Sequence, residues 1–177
     1  KDFKYKKIKN FLTKKESVLL GGYAELYHRH NNKEFEDKQS NINDTAVYGD
    51  KLMDTLLCAK KKDLEKIVGK KLLPTYSYFR VYTKYAALKK HIDRPSCEIS
   101  VTINVACCGM KWPIFMDGTP VDLKPGDAVV YRGLELEHWR EEFLGDFQSQ
   151  VFLHYVDADG PHKEYYRDKR RLFGQKR

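Results

Sequence analysis

Two histidines and an aspartate carry the clearest chemical signal in this sequence. His91 and Asp93 are separated by one residue, and His138 follows a Pro125-Gly126 turn and a short apolar run. Side chains of an extended strand alternate between its faces, so an H-x-D pair presents an imidazole and a carboxylate on the same side. A histidine from a distant strand would complete a set of two histidines and one carboxylate. Such a set leaves positions open on Fe(II) for a cosubstrate and dioxygen.

His154 is the alternative third ligand. It lies on the last predicted strand, where Gln148, Gln150 and Phe152 share its face by parity. If that face lines a barrel, His154 is a pocket or core histidine. We therefore favour His138, because it lies directly after the turn and strand that begin at Pro125.

The first third of the chain is predicted to be mainly helical. Thr13 and Glu16 have the spacing of a capping box, and apolar residues then recur at helical spacing. Two further helical patches are predicted at Lys51–Leu57 and Lys62–Gly69. The polar segment His30–Asp44 is predicted to be an exposed loop, and its sequence leaves open whether it acts as a substrate lid or is disordered.

From Pro74 onward the pattern changes to short strands separated by turns. Predicted strands lie at Tyr76–Tyr82, Cys97–Ala106, Ile114–Met116, Asp127–Tyr131, Glu135–Arg140 and Phe147–Val156. Their spacing favours a double-stranded β-helix, or jelly roll, of the α+β class, with the N-terminal helices packed on one sheet. We expect a single domain over 1–177, with helical support in 1–73, the jelly-roll core in 74–157 and a basic tail in 158–177.

The composition is that of a globular domain with a basic surface. The formal net charge of +8 favours either a solvated lysine-rich surface, which we prefer, or binding to polyanions. Four cysteines without a C-x-x-C spacing or a disulfide pattern indicate reduced thiols. No signal peptide or membrane-spanning run is recognisable, so the expected location is intracellular and cytoplasmic.

With the strands placed, the chain resembles the Fe(II)/2-oxoglutarate-dependent dioxygenases of the prolyl-4-hydroxylase-like group. The resemblance runs from Ile8 to Asp159. It rests on five stretches: Arg80-Val81-Tyr82 ahead of His91-Ile92-Asp93, then Glu98–Asn104, Leu123–Tyr131 and Glu137-His138-Trp139. It implies that His91, Asp93 and His138 are the iron ligands, and that Fe(II), 2-oxoglutarate and dioxygen are required, with ascorbate as reductant.

The chain departs from the family where 2-oxoglutarate is anchored. Relatives place a basic residue on the last long strand, and the matching position here is Gln148, which carries no charge. Arg140 lies on the same face as His138 and could take the place of the family's basic residue, because a guanidinium binds a carboxylate through two parallel hydrogen bonds. Arg80 is the weaker alternative. Tyr82 matches the family's cosubstrate-binding tyrosine, although tyrosine is also an ordinary strand residue, and Asn104 matches another polar contact.

The resemblance implies hydroxylation of a C–H bond in a protein, peptide or small molecule. One alternative is a nucleic-acid-modifying oxygenase, which the net charge of +8 would suit. Another is a cupin-like metal-binding module without turnover, supported only by Gln148. The expected partners are 2-oxoglutarate and an unknown primary substrate, with nucleic acid a less favoured partner and no membrane.

Overall fold

The computed structural model describes residues 3–30 and 44–177. The elements are β1 (Tyr5–Ile8), α1 (Lys14–His30), β2 (Thr45–Tyr48), α2 (Lys51–Val68), β3 (Leu72–Thr83), β4 (Leu88–His91), β5 (Ile99–Cys107), β6 (Ile114–Met116), β7 (Thr119–Val121), β8 (Ala128–Tyr131), β9 (His138–Arg140) and β10 (Phe147–Asp157). Short 3-10 segments lie at Pro95–Cys97 and Lys163–Lys169. The polar segment predicted at 30–44 falls almost entirely outside the described residues.

Within the described residues, the strands form two antiparallel sheets. The larger sheet has the order β1-β8-β5-β10-β3-β2, and the smaller has the order β4-β9-β6-β7. The two sheets pack face to face at one end, where Ile114 and Met116 of β6 share an apolar cluster with Val129 and Tyr131 of β8. Because few neighbours in either sheet are consecutive in the chain, residues far apart in sequence meet between the sheets.

The larger sheet has an apolar face and a polar face. Phe79 of β3 and Val151 of β10 belong to the main core, together with Leu20 of α1 and Leu57 of α2. The helices therefore cover this face of the sheet, as the sequence predicts. The alternate residues of β3 and β10 point the other way and line the space between the sheets.

The two helices begin at capping groups. The Thr13 backbone N–H donates to Glu16 Oε2 at 2.7 Å, and the Glu16 N–H donates to Thr13 Oγ1 at 3.1 Å, which confirms the predicted capping box. At the start of α2, the Asp50 carboxylate accepts from the Met53 N–H at 3.0 Å. Neither helix is apolar enough over a sufficient length to cross a membrane.

The prediction of two separate helices between Lys51 and Gly69 is wrong. The structure has one helix, Lys51–Val68, which ends at Gly69 with a φ of +74°. The lysine run at 60–62 interrupts the apolar pattern but not the backbone, because lysine is a good helix former. The Lys60 side chain is only 13% exposed and lies over the Phe11 ring, whereas Lys62 is exposed. Apolar periodicity marks only the part of a helix that is buried.

The strand predictions differ from the structure mainly at the ends. β6 has its predicted bounds, whereas β5 begins at Ile99 because Pro95–Cys97 form a 3-10 turn. β9 is limited to His138–Arg140, three residues shorter than predicted. The short strands β1, β2 and β7 have no counterpart in the prediction. The H-x-D pair was predicted on an extended strand, but β4 ends at His91 and Asp93 lies in the loop that follows. β7 contains Pro120 and lies at an edge of its sheet, where proline is tolerated.

The segment after β10, predicted as a basic tail, packs against α2 and β3. Arg170 is buried and donates through Nη1 to Asp54 Oδ2 at 2.8 Å and through Nη2 to the Thr75 carbonyl at 3.1 Å. Asp168 is fully buried and accepts two hydrogen bonds from the Arg94 guanidinium at 2.8 and 2.9 Å. Since Arg94 directly follows Asp93, this contact reaches the backbone of the predicted iron site.

Candidate metal centre

The H-x-D pair lies at the end of β4. His91 is the last residue of this strand and pairs with His138 of β9 across the smaller sheet. The chain then turns away, and the Asp93 N–H donates to the Gly133 carbonyl at 2.8 Å. Strand pairing therefore brings His91 and His138 together, and the loop after β4 carries Asp93 to them.

The three side chains converge on one point. Asp93 Oδ1 lies 3.4 Å from His91 Nε2 and 3.4 Å from His138 Nε2. All three ligand atoms lie within 4.8 Å of one another. The Asp93 and His138 side chains are 12% and 2% exposed, so the point where they meet is largely shielded from water. Two imidazoles and one carboxylate in this arrangement suit a first-row divalent metal.

Both histidines are held by backbone carbonyls through the other ring nitrogen. His91 Nδ1 lies 2.6 Å from the Lys89 carbonyl, and His138 Nδ1 lies 2.8 Å from the Leu136 carbonyl. A carbonyl can only accept, so Nδ1 carries the proton in each ring. The lone pair is thereby left on Nε2, the atom that faces Asp93.

The electrostatics favour an ionised carboxylate at this point. Burial alone would raise the pKa of the Asp93 carboxyl. When the His138 and His91 rings are protonated, however, their Nε2–H groups donate to it, which outweighs burial and holds that pKa well below its usual range. Burial lowers the pKa of His91, yet hydrogen bonds with Asp93 and the Lys89 carbonyl produce a net increase. The ionised Asp93 carboxylate therefore gives the site a negative charge that favours binding of a cation.

A cavity of about 140 Å³ opens beside these three residues. Its walls are Tyr76, Tyr78, Arg80, Tyr82, Leu88, His91, Asp93, Tyr131, His138, Phe152 and His154. Five residues from the sequence prediction are thus in the wall, namely the three proposed ligands with Arg80 and Tyr82. His154, the rival ligand, also lines the cavity, which matches its predicted place on an inward face.

The other three predicted cosubstrate residues are buried, and none of them is among the residues that line the cavity. Gln148 lies opposite Tyr82 in the β3–β10 pairing and is 3% exposed. Asn104 donates through Nδ2 to the Leu123 carbonyl at 2.8 Å. Arg140, which is 2% exposed, donates through Nη1 to the Trp112 carbonyl at 2.8 Å, with its guanidinium 4.8 Å from the Trp112 ring centroid.

Arg140 has unused hydrogen-bonding capacity. Its Nε and Nη2 groups are buried and have no hydrogen-bond partner among residues 3–30 and 44–177. Burial lowers the pKa of this guanidinium to about 10, and a charge of either sign is costly to bury without a partner. The two adjacent N–H groups fit the two oxygens of a carboxylate. The donor set at His91, Asp93 and His138 and this unpaired fork together fit Fe(II) and 2-oxoglutarate.

Arg80 is the other candidate partner for a carboxylate. It is 5% exposed, and its guanidinium lies 5.2 Å from the Tyr78 ring centroid and 5.8 Å from that of Tyr82. Arg80 lines the cavity, whereas Arg140 is not among the lining residues. Tyr82 also packs edge-to-face on Trp112, which closes this end of the cavity with Ala86 and Phe143.

Ser100 and Gly133 were not identified from the sequence. Ser100 Oγ lies 3.1 Å from Asp93 Oδ2 and 2.8 Å from His154 Nδ1. A Cβ on Gly133 would overlap the Cys97 carbonyl oxygen and Asp93 Oδ2, so only glycine fits there. The signal for Ser100 would have been the register of β5 against β10, which pairs it with His154 and which no short motif encodes.

No protein-family model matches the sequence, and no curated protein is significantly similar to it. Solved structures are similar. A Pseudomonas putida prolyl-4-hydroxylase is 15% identical with a TM-score of 0.66, covering 86% of this chain and 92% of that chain. A viral collagen prolyl hydroxylase from Paramecium bursaria Chlorella virus-1, in complex with 2-oxoglutarate, is 14% identical with a TM-score of 0.66, covering 86% and 96%.

A third similar structure has a different reaction. The non-heme α-ketoglutarate-dependent epimerase SnoN from nogalamycin biosynthesis is 11% identical with a TM-score of 0.72, covering 89% of this chain and 79% of that chain. The resemblance inferred from the sequence is thereby confirmed at the level of structure. At these identities the comparisons establish a common architecture: the chain has the fold of the prolyl-4-hydroxylases and other Fe(II)/2-oxoglutarate oxygenases.

Proposed function

We propose that this chain is an Fe(II)- and 2-oxoglutarate-dependent dioxygenase. The observation that carries the proposal is the convergence of His91 Nε2, His138 Nε2 and Asp93 Oδ1 at the edge of a buried cavity. Both imidazoles have the tautomer that a metal ligand needs, and the carboxylate is ionised. The fold neighbours add support, since they include a prolyl hydroxylase in complex with 2-oxoglutarate and a non-heme α-ketoglutarate-dependent epimerase. The two sheets would then be the halves of a jelly roll.

In this proposal His91, Asp93 and His138 hold the metal on one face and leave the other face to ligands from the cavity. With dioxygen as the oxidant, bound Fe(II) would couple the decarboxylation of 2-oxoglutarate to hydroxylation: one oxygen atom would enter succinate as carbon dioxide leaves, and the other would enter a substrate C–H bond as hydroxyl. The protein holds the three ligands, orients the cosubstrate and excludes water. The apolar group of Ala86, Trp112 and Phe143 beside Tyr82 serves the last of these tasks.

Arg140 is the proposed anchor for the distal carboxylate of 2-oxoglutarate. Two of its N–H groups lack a partner within the described residues, and the neutral Gln148 at the family's usual position cannot replace the missing charge. Tyr82 lies in the cavity wall, where its hydroxyl could contact the cosubstrate. Arg80 remains the alternative anchor. Asn104 and Gln148 are proposed to supply polar contacts at the buried end.

The substrate is proposed to be a protein, peptide or small molecule, in line with the prolyl hydroxylases among the neighbours. The net charge of +8 supports the second candidate, a nucleic-acid substrate. Salt-sensitive binding of DNA or RNA would favour this second candidate, and no binding at low salt would eliminate it. A cupin-like module without turnover is the third candidate, which the complete ligand set argues against.

The test is the conversion of 2-oxoglutarate to succinate with added Fe(II), ascorbate and oxygen. Because the primary substrate is unknown, succinate is measured at high enzyme concentration without one. His91→Ala and Asp93→Ala should abolish the reaction, and His162→Ala, outside the cavity, should not. A wild-type protein with no turnover, or triad variants with full turnover, would overturn the proposal.

A further inference from the structure

The two oxygens of the Asp93 carboxylate have different surroundings. Oδ1 faces the two imidazole nitrogens at 3.4 Å, whereas Oδ2 lies 3.1 Å from Ser100 Oγ. Ser100 is fully buried, and its hydroxyl also lies 2.8 Å from Nδ1 of His154, its partner in the β5–β10 pairing. A continuous path of hydrogen-bonding atoms therefore runs from β10 through β5 to Asp93.

The direction of this path follows from the protons available. Ser100 has one hydroxyl hydrogen and four neighbours that could accept it: Asp93 Oδ2, the Cys97 carbonyl at 3.1 Å, His154 Nδ1 and the Tyr131 hydroxyl. A carboxylate is the strongest acceptor of the four. If His154 carries its proton on Nδ1, it donates to Ser100, and the Ser100 hydrogen is left for Asp93.

The His154 ring is well placed to keep this orientation. Its side chain is 5% exposed, and its ring centroid lies 4.5 Å from that of Tyr76. Packing therefore fixes the plane of the imidazole and directs Nδ1 at Ser100. Since buried polar groups are costly without partners, the hydroxyl and the imidazole stabilise each other's position.

We propose that His154 and Ser100 are positioning residues for the metal ligand Asp93. His154 Nδ1–H donates to Ser100 Oγ, and Ser100 Oγ–H donates to Asp93 Oδ2, so only Oδ1 faces the metal. A carboxylate free to rotate could present both oxygens and occupy a position that the cosubstrate or dioxygen needs. This inference rests on the proposed function, because it assigns a role around the same metal.

A second interpretation of the same atoms is a separate metal site. Asp93, Cys97 and His154 also offer three ligand atoms within 4.8 Å of one another. Each is already engaged within the protein, however, and Cys97 Sγ lies 3.1 Å from the Tyr76 hydroxyl. Burial raises the pKa of the Cys97 thiol to about 12, which keeps it protonated and a poor ligand. The hydrogen-bonded path explains these side chains without a second ion.

The experiment measures the affinity of the full chain for Mn(II), from the loss of the free-ion electron paramagnetic resonance signal, without 2-oxoglutarate. Ser100→Ala and His154→Phe should each weaken binding about 10- to 100-fold, the usual effect of removing a hydrogen bond that orients a ligand. His154→Asn, which keeps an N–H near the Nδ1 position, should restore most of the affinity. Thr102→Val removes another hydroxyl from β5, one that donates to Gln150 rather than to Asp93, and should change nothing.

The visible absorption spectrum of bound Co(II) gives a readout of coordination that a general loss of stability would not move. It should change in Ser100→Ala and in His154→Phe and be retained in Thr102→Val. If the wild-type protein binds no Mn(II), the proposed function fails. If it binds one Mn(II), and both variants match its affinity and Co(II) spectrum, only the positioning role fails. Two Mn(II) per chain, one lost in His154→Phe, would overturn the positioning role in favour of the second metal site.

Discussion

At the level of single residues, Arg140 is the proposed replacement for the charge that Gln148 cannot supply. Its guanidinium lies over Trp112, which packs on Tyr82 of the cavity wall. Burying this guanidinium lowers the free energy of unfolding, because two of its N–H groups have no partner within the described residues. A buried, incompletely paired charge destabilises a protein, so its presence favours a role in binding an anion.

Arg140→Met should therefore separate stability from binding. Without ligand, the variant should have a higher free energy of unfolding, by about 1 kcal/mol or more, because an apolar side chain replaces a poorly paired buried charge. Its affinity for 2-oxoglutarate should fall about 10- to 100-fold, since hydrogen bonds to charged groups contribute about 1.5–3 kcal/mol each. Denaturant unfolding and calorimetry with Mn(II) in place of Fe(II) measure the two quantities.

Arg80→Met is the matched comparison, because Arg80 lies in the wall of the same cavity. Its affinity for 2-oxoglutarate should stay within about threefold of wild type, on the scale where about 1.4 kcal/mol is tenfold. The reverse result, with Arg80→Met impaired and Arg140→Met normal, would assign the anchor to Arg80.

Among the secondary-structure elements and their connections, the loop after β8 sets the position of Asp93. Gly133 accepts the Asp93 N–H through its carbonyl, and its own N–H donates to the Glu98 carbonyl at 3.2 Å. Its Cα lies so close to Asp93 Oδ2 and the Cys97 carbonyl that a side chain cannot be placed there. The loop after β8 and the loop after β4 are thus held together by backbone hydrogen bonds next to the Asp93 carboxylate.

Gly133→Ala should disturb both the metal site and the fold. The added methyl group would displace Asp93 Oδ2 or the Cys97 backbone, at a cost of about 1–3 kcal/mol in the free energy of unfolding. We expect Mn(II) affinity to fall at least tenfold, as for the loss of an orienting contact.

Gly22→Ala in α1 is the control for this substitution, because a Cβ at that position would have no atom within 4 Å. It should leave Mn(II) binding unchanged and stabilise the helix by about 1 kcal/mol. Equal Mn(II) affinity in both glycine variants would show that Gly133 does not position Asp93.

Across the whole molecule, the segment after β10 packs against the fold close to the candidate metal site. Asp168 is fully buried, accepts from the Tyr48 hydroxyl at 2.5 Å and pairs with Arg94, the residue after Asp93. Arg167, Asp168 and Lys169 all have positive φ, a costly conformation for residues other than glycine. The contacts of Asp168 are what hold this turn in place.

Acid should weaken the contacts of Asp168 with Arg94 and Tyr48. Burial tends to raise the pKa of Asp168, but hydrogen bonds from Arg94 and Tyr48 outweigh it, so the pKa is lower in the folded state than in the unfolded state. The pair therefore contributes its full stability above the unfolded-state pKa of about 3.9, and loses it as pH falls through the lower folded-state value. Unfolding free energy, measured by denaturant from pH 7 to pH 3, should decrease at the acid end.

Asp168→Asn should lose part of this stability already at pH 7. The expected loss is about 1–3 kcal/mol, less than for a fully buried pair because the Arg94 side chain is 36% exposed. The variant should also depend less on pH than the wild type does. Asp63→Asn, at an exposed position of α2, should behave as wild type. An Asp168→Asn protein that keeps both the stability and the acid dependence of wild type would show that the contacts of Asp168 contribute little to the free energy of unfolding.

The sequence predicted those parts of the site that lie on short motifs. H-x-D, the turn at Pro125-Gly126 and His138 are adjacent in sequence to the strands that position them. The role of Ser100 depends on β10 lying next to β5, and the role of Gly133 on two loops meeting, so both require the sheet order. Arg140 could be named from its parity with His138, but the missing partners of its guanidinium appear only once the chain is folded.

The fold was predictable to the same extent. Alternation identified the long strands β3 and β10, which are buried on both faces, whereas β1 and β2, each of four residues, are too short for a pattern to emerge. The single helix α2 was divided in the prediction because its lysine run interrupts the apolar pattern, although Lys60 is itself largely buried against Phe11. Local patterns report burial, and these elements differ in burial along their length.

The proposed iron site is best tested by a crystal structure of the protein grown anaerobically with Mn(II) and 2-oxoglutarate, with anomalous diffraction recorded at the manganese edge. We predict one anomalous peak, bonded to His91 Nε2, His138 Nε2 and one oxygen of Asp93, with the distal carboxylate of 2-oxoglutarate on Arg140. A structure with no manganese between these three side chains, at concentrations that saturate binding in solution, would contradict the proposed site.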